Sequence, residues 1–271
     1  MLPFLRNALI AGLLSSVLFG VLGSVITVRK IASLSGSIAH AVLGGIGMAL
    51  FFSATGILPN FPPIIGAFIF AVIAALVIAA VSLKAKERED TVINAIWAIG
   101  MSIGVLFMAK TPGYTDPSSY LFGNILLISN SDLIMIAALD VLTVFLAWRF
   151  YPQIKASSFD EEFAQVRGVP VKAVYIAILV LIALAIVLLQ TYVGIIMVIA
   201  MLTLPAGTAG CFKTGSLGKM MCVASIFSCI FSLAGLGLSW VWDLPTGAVT
   251  VVFAGIVFLL ASGIRVIRRR N

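Results

Sequence analysis

Long apolar runs of about 20 residues dominate the sequence and constrain its fold more than any other feature. Such a run, when helical, crosses the roughly 30 Å hydrocarbon core of a membrane. The chain is 62% hydrophobic and 10% charged, whereas soluble proteins carry about 25% charged residues. The sequence therefore predicts an all-α membrane bundle of about eight to nine transmembrane helices, forming a single domain over residues 1–271. The runs lie near 8–28, 34–53, 64–83, 91–109, 132–149, 173–190, 192–210, 220–239 and 246–264.

The basic residues indicate how these helices are oriented. If the runs alternate in direction, all but Arg6 and Lys110 of the 17 lysines and arginines lie on one side of the membrane. The positive-inside rule makes that side cytoplasmic. We therefore expect a multi-pass protein of the cell (inner) membrane with its N-terminus outside and its C-terminus in the cytoplasm. The same asymmetry explains the net charge of +7, so we predict no nucleic-acid partner.

Two connecting segments have predicted structure of their own. On the outer side, residues of about 111–131 include YLFGNILLIS, which is too short to span and is interpreted as a re-entrant or interfacial piece. On the inner side, the loop of about 150–172 has the start and stop signals of a short helix. Ser158 or Asp160 can cap its start, and Gly168 shortly before a proline can end it.

The inner loop also carries an apolar stripe. Phe159, Phe163 and Val166 follow the spacing that places residues on one face of a helix. A short amphipathic helix on the cytoplasmic side suits docking into a groove of a partner protein. The alternative is an ordinary surface loop.

Two ionisable residues inside the apolar runs are candidates for a functional site. The stretch SLSGSIAHAVLGG, residues 33–45, holds His40, the only histidine of the chain, and Asp140 lies near the middle of its run. Such residues are costly in a membrane and mark function by default. The alternatives are a histidine that packs and forms hydrogen bonds, and a protonated Asp140 bonded to a neighbouring helix.

The sequence has no GxxxxGK[ST] motif for binding nucleotide phosphates and no pattern of a hydrolytic active site. We therefore predict that the chain is not an enzyme. If it performs work, another subunit supplies the energy.

Several stretches, in order from about residue 10 to 262, resemble the integral-membrane permeases of ABC importers for zinc, manganese and iron. SLSGSIAHAVLGG is similar to the signature of their second helix, SYLFGNILLISNSDL to their mid-chain loop, and SFDEEFAQVRGVPV to their cytoplasmic coupling loop. LTLPAGTAGCFKTGSLGKMM and WDLPTGAVTVVFAGIVFLLA are similar to their C-terminal third.

The resemblance implies a type II importer fold, a homodimer in the lipid bilayer, and a translocation path for a divalent metal ion, with no permanently bound cofactor. It also implies two ATP-binding-cassette ATPase subunits docked on the loop at 159–169, and an extracytoplasmic metal-binding protein. The residues assigned to ATPase coupling are Phe159, Glu162, Phe163 and Gly168.

One position departs from the family pattern, in which a carboxylate precedes the histidine by four residues. That position is Gly36 here, and Ser37 beside it offers only a hydroxyl. We assign His40, Ser37 and Asp140 to the substrate path, with His40 as a transient metal ligand. The missing carboxylate leaves a chelate or an organic molecule open as the substrate of an ABC permease. A secondary transporter that works alone is a further alternative, although Asp140 would be its only ion-coupling charge.

Overall fold

The structure is a computed structural model that describes residues 3–84, 89–113, 117–123, 128–212 and 214–270. Within these ranges the chain folds into helices without a strand. In chain order they are α1 (Pro3–Arg29), α2 (Ala32–Ala54), α3 (Pro63–Lys84), α4 (Glu89–Lys110), α5 (Pro117–Phe122), α6 (Asn130–Arg149), α7 (Tyr151–Phe159), α8 (Glu161–Val166), α9 (Val171–Val193), α10 (Ile195–Cys211), α11 (Leu217–Trp242) and α12 (Thr246–Arg270).

Eight of the described helices are long and apolar enough to cross a membrane, and α10, with 17 residues, is a shorter apolar helix. The predicted all-α membrane bundle is thereby confirmed. The boundary expected between the runs 173–190 and 192–210 is also found, because Gly194 interrupts the chain between α9 and α10 with φ of +86°. A positive φ of this kind is readily adopted only by glycine.

Close backbone contacts hold α2 against α3 and α4. A Cβ atom at Gly45 would overlap the backbone of Gly66 in α3, and one at Gly100 in α4 would lie 2.5 Å from the Cα of Ala41. A Cβ at Gly104 would lie 2.6 Å from the carbonyl oxygen of Leu43. Small residues let membrane helices approach this closely, where dispersion forces replace the hydrophobic effect. The glycine-rich stretch after His40 therefore serves helix packing.

The second part of the bundle is built around α1. This helix packs mainly on α11 and α10, and Gly20 lies directly against the backbone of Ser225. Phe19 and Ile26 of α1 and Leu202 of α10 are fully buried. The interior of this part of the bundle is thus closely packed.

The inner connecting segment differs from its prediction in one respect. Two helices, α7 and α8, occupy the region where a single short helix was expected. The predicted cap is found, since the carboxylate of Asp160 accepts a hydrogen bond of 2.9 Å from the backbone N–H of Phe163. The additional helix α7 begins after Phe150, which makes no side-chain capping bond, and has a proline in its first turn. Of the outer segment, α5 is described, while residues 114–116 and 124–127 lie outside the described residues.

Candidate functional site

The glycine contacts between α2 and α4 determine the surroundings of His40. They bring Trp97 of α4 against the imidazole, with the ring centroids 5.1 Å apart in an edge-to-face arrangement. His40 is half-buried and the side chain of Trp97 is exposed. The imidazole therefore lies at the edge of the α2–α4 pair, where it can contact a molecule moving along this surface.

One hydrogen bond defines the protonation of the ring. Nδ1 of His40 lies 2.8 Å from the carbonyl oxygen of Gly36, one helical turn earlier. Because a carbonyl oxygen can only accept, Nδ1 must carry the proton of a neutral ring. The lone pair is then on Nε2, the form in which imidazole binds a metal ion. A backbone partner of this kind orients metal-binding histidines in general.

Ser37 is placed differently. Its side chain is buried, and its hydroxyl donates a hydrogen bond of 2.7 Å to the carbonyl oxygen of Ile93 in α4. This bond ties α2 to the first part of α4. The hydroxyl proton is engaged there, and the assignment of Ser37 to the substrate path stays a prediction.

Asp140 belongs to α6, which packs on α1, and it is 7% exposed. Its carboxyl faces the backbone of Leu18, although neither oxygen has a hydrogen bond of ordinary geometry to any described residue. The buried hydroxyl of Thr143, one turn further along α6, also lacks a partner among the described residues. No hydrogen bond joins Asp140 to His40 in the described part of the chain, since α6 packs mainly on α1 and α2 packs mainly on α4 and α3. Its place in the path stays a prediction.

The apolar face of the inner segment is open to solvent. Phe159, Phe163 and Val166 are all exposed, Val166 to 87%. The predicted stripe on a single helix is divided between two helices, because Phe159 ends α7 whereas Phe163 and Val166 belong to α8. Large exposed apolar side chains that form a patch are typical of interaction sites. The guanidinium of Arg167 lies 5.1 Å from the ring centroid of Phe163, which adds a positive charge beside the patch.

Glu162 and Gly168 complete this surface. Glu162 is exposed in the first turn of α8. Gly168 ends the helix with φ of +78°, a conformation that disfavours other residues. Of the four residues predicted for ATPase coupling, Glu162, Phe163 and Gly168 thus lie in or just after α8, and Phe159 precedes its cap. Their role in ATPase coupling stays a prediction.

The sequence matches the ABC 3 transport family over residues 1–265. The chain belongs to this family. The resemblance inferred from the sequence motifs is thereby confirmed, and the chain is a membrane permease of the metal-transporting ABC class.

Relatives of this ABC 3 permease match it along nearly its whole length. The manganese transport system membrane protein MntC of Listeria monocytogenes is 34% identical over 258 residues, covering 95% of this chain and 89% of the relative. An uncharacterised membrane protein of Synechocystis is 38% identical over 263 residues, covering 97% and 91%. Among solved structures, PsaBC from Streptococcus pneumoniae in complex with Fab superposes with a TM-score of 0.83 and 29% identity, covering 96% of this chain and 91% of that chain.

Two residues of the permease that sequence reasoning did not select lie in important contacts. Trp97 packs on His40, and Arg29, interpreted from the sequence only as a topology signal, forms an ion pair with Glu161. Both partners are distant in the sequence, and no local pattern marks them. A tryptophan or an arginine near the end of an apolar run has an ordinary explanation as an interface residue.

Placing a carboxylate at position 36 is expected to strengthen metal binding by the permease. A Cβ atom at Gly36 would meet only the Cγ2 of Ile199 at 4.0 Å among the described residues, so a side chain fits there. Residues four apart share a helix face, and an aspartate at this position would bring an anionic oxygen ligand next to the imidazole. We expect Gly36→Asp to bind Mn²⁺ roughly tenfold more tightly, which corresponds to about 1.4 kcal/mol, in equilibrium dialysis of the purified protein.

The matched control is Gly36→Asn, which has the same shape without the charge. Equal Mn²⁺ affinity of the Gly36→Asp and Gly36→Asn variants would show that position 36 does not face the ion.

Proposed function

We propose that this chain is the transmembrane permease subunit of an ATP-driven importer of a divalent metal ion, and that manganese is its first candidate cargo. The observation that carries the proposal is the 34% identity with the manganese transport protein of Listeria along almost the whole chain. Zinc and ferrous iron remain candidates, because a neutral imidazole is a suitable ligand for each of them.

In the proposed mechanism, two copies of the permease form the translocation path, and His40 of each copy contacts the ion through Nε2. One nitrogen per copy makes a weak site. Weak binding suits a path, since an ion that enters must also leave. Ser37 and Asp140 are the other proposed path residues.

The energy comes from ATP hydrolysed by two partner ATPase subunits. We propose that each one docks on α8 and the residues beside it, through Phe159, Glu162, Phe163 and Gly168. An extracytoplasmic binding protein delivers the ion to the opposite face. The permease then lies in the cell (inner) membrane with its C-terminus and α8 in the cytoplasm, the orientation that the distribution of basic residues favours.

The decisive experiment is an uptake assay in cells that lack their own metal importers. The permease is supplied together with its partner ATPase and binding protein, and uptake of Mn²⁺, Zn²⁺ and Fe²⁺ is measured. Uptake of one ion that depends on ATP supports the proposal. Absence of uptake of all three ions would contradict it.

A second candidate substrate is a metal chelate or an organic molecule. The observation that favours it is Gly36, which stands where the family pattern has a carboxylate. If none of the free ions is taken up, uptake of the metals bound to small chelators distinguishes this candidate from an inactive transporter.

Replacing Phe163 with aspartate is expected to weaken docking of the ATPase and thereby to abolish transport. Phe163 is about half exposed in the middle of the proposed docking face, and a buried charge without a partner would destabilise the contact with the ATPase. Truncations at the centre of an interface cost about 2 kcal/mol or more. We therefore expect roughly 30-fold less ATPase captured per permease, together with loss of uptake, in a pull-down and uptake assay.

The control for this variant is Phe163→Leu, which keeps an apolar side chain and should retain most of the binding. Wild-type capture and uptake by Phe163→Asp would exclude this face as the docking site.

A further inference from the structure

Arg29, the last residue of α1, connects this helix to the proposed docking segment. Nη2 of Arg29 lies 2.6 Å from Oε1 of Glu161 in α8. The same nitrogen donates a hydrogen bond of 3.2 Å to the carbonyl oxygen of Ser157 in α7. The guanidinium also lies 5.2 Å from the ring centroid of Tyr175 in α9. One side chain therefore contacts α7, α8 and α9 from the end of α1.

The burial of the two partners is unequal. The side chain of Arg29 is 3% exposed and that of Glu161 is 51% exposed. Ion pairs between exposed side chains contribute little because water screens them, but a buried guanidinium has lost its hydration and depends on the anion that neutralises it. Glu161 is therefore held to α1 although it sits on a surface helix.

The position of Arg29 in the chain links this contact to the helix of His40. Lys30 adopts a left-handed conformation with φ of +60°, and the backbone N–H of Ile31 bonds to the carbonyl oxygen of Ile26 at 3.0 Å. The turn is tight, and α2 begins at the next residue. Because few torsion angles separate Arg29 from α2, a displacement of Arg29 is transmitted to α2.

We propose that the Arg29–Glu161 pair is the mechanical link between the docking segment and the His40 helix, so that an ATPase-driven movement of α8 shifts the α1–α2 turn and α2 with it. The proposal rests on the proposed function, in that an ATPase moves α8. Both residues are positioning residues, since neither touches the transported ion.

Movement of α2 can be measured without transport. In a variant with Cys211, Cys222 and Cys229 replaced by alanine, Gly36→Cys introduces a thiol on α2 where the backbone has room for a side chain. The assembled transporter, permease with its ATPase, is treated with a small maleimide with and without ATP. We expect ATP to change the labelling rate at position 36, and Glu161→Gln to reduce this change about fivefold while ATP hydrolysis continues.

Two variants make the result specific. Glu161→Asp keeps the charge and should retain most of the change in labelling. Asp90→Asn removes an exposed carboxylate of α4 and should leave it intact. Equal folded fractions of Glu161→Gln and the unaltered protein at the labelling temperature, read by size-exclusion chromatography, exclude unfolding as the cause.

The outcomes separate this proposal from the proposed function. A labelling rate that does not respond to ATP, or responds equally in Glu161→Gln, overturns the link. A response that depends on Glu161, in a transporter that takes up none of the three metal ions, supports the link and overturns the metal cargo instead.

Discussion

Replacing His40 with alanine is expected to reduce metal uptake by roughly ten- to a hundredfold, the range typical of losing a group that supports a bound metal. The free Nε2 lone pair is the feature that suits the imidazole to a metal ion, and the chain contains no other histidine. The fold should survive the change, because the carbonyl of Gly36 that binds Nδ1 belongs to a continuous helix. Uptake of radioactive or fluorescence-detected Mn²⁺ at a fixed expression level measures the effect.

A control in the same helix tests whether packing alone explains the loss. Leu50 is partly buried against the core, and Leu50→Ala removes apolar contacts without removing a ligand. We expect Leu50→Ala to retain uptake close to that of the unaltered protein. If His40→Ala transports at the original rate and with the original metal preference, His40 is a packing residue.

Adding one methyl group at Gly45 is expected to prevent α2 and α3 from packing. A Cβ there would overlap the carbonyl group of Gly66, which is backbone and cannot rotate away. Overpacking in a close-packed interior costs about 1–3 kcal/mol, and we expect Gly45→Ala to lie at or above the top of that range. The folded fraction after detergent extraction, read by size-exclusion chromatography and thermal unfolding, reports the effect.

Gly255 in α12 provides the matched control. Apart from the adjacent backbone of α12 itself, no atom of the described residues lies within 4 Å of a Cβ placed there. Alanine is about 1 kcal/mol more favourable than glycine in a helix, so Gly255→Ala should be neutral or stabilising. Equal stability of the two variants would contradict the close contact between α2 and α3.

Most of the bundle could be predicted from the sequence because each spanning helix is specified by its own apolar run. The split between α9 and α10 could also be predicted, since Gly194 is a local signal in an otherwise continuous run. The short helix α7 could not. Its start at Tyr151 lacks a capping side chain and an acidic first turn. The proline of that turn is a start signal that loops share, so it does not distinguish the helix from a loop.

The candidate site was predicted only in part. Asp160, Phe163 and Gly168 shape α8 through contacts with residues only a few positions away in the chain. The start, exposed face and end of α8 could therefore be inferred from spacing. Ser37 shows the limit of such reasoning. Its hydroxyl bonds to Ile93, a partner that no sequence pattern within α2 could indicate.

The sequence by itself determined the membrane bundle, the approximate number of its helices and the capped helix α8, because apolar runs and helix caps act over a few residues. The tertiary structure alone decided which groups face His40 and what holds α8 to the bundle. Trp97 reaches the imidazole only because α4 packs on the glycines of α2. Glu161 reaches Arg29 across 132 residues of chain. Such contacts depend on how helices pack against one another, and that arrangement arises only when the whole bundle is assembled.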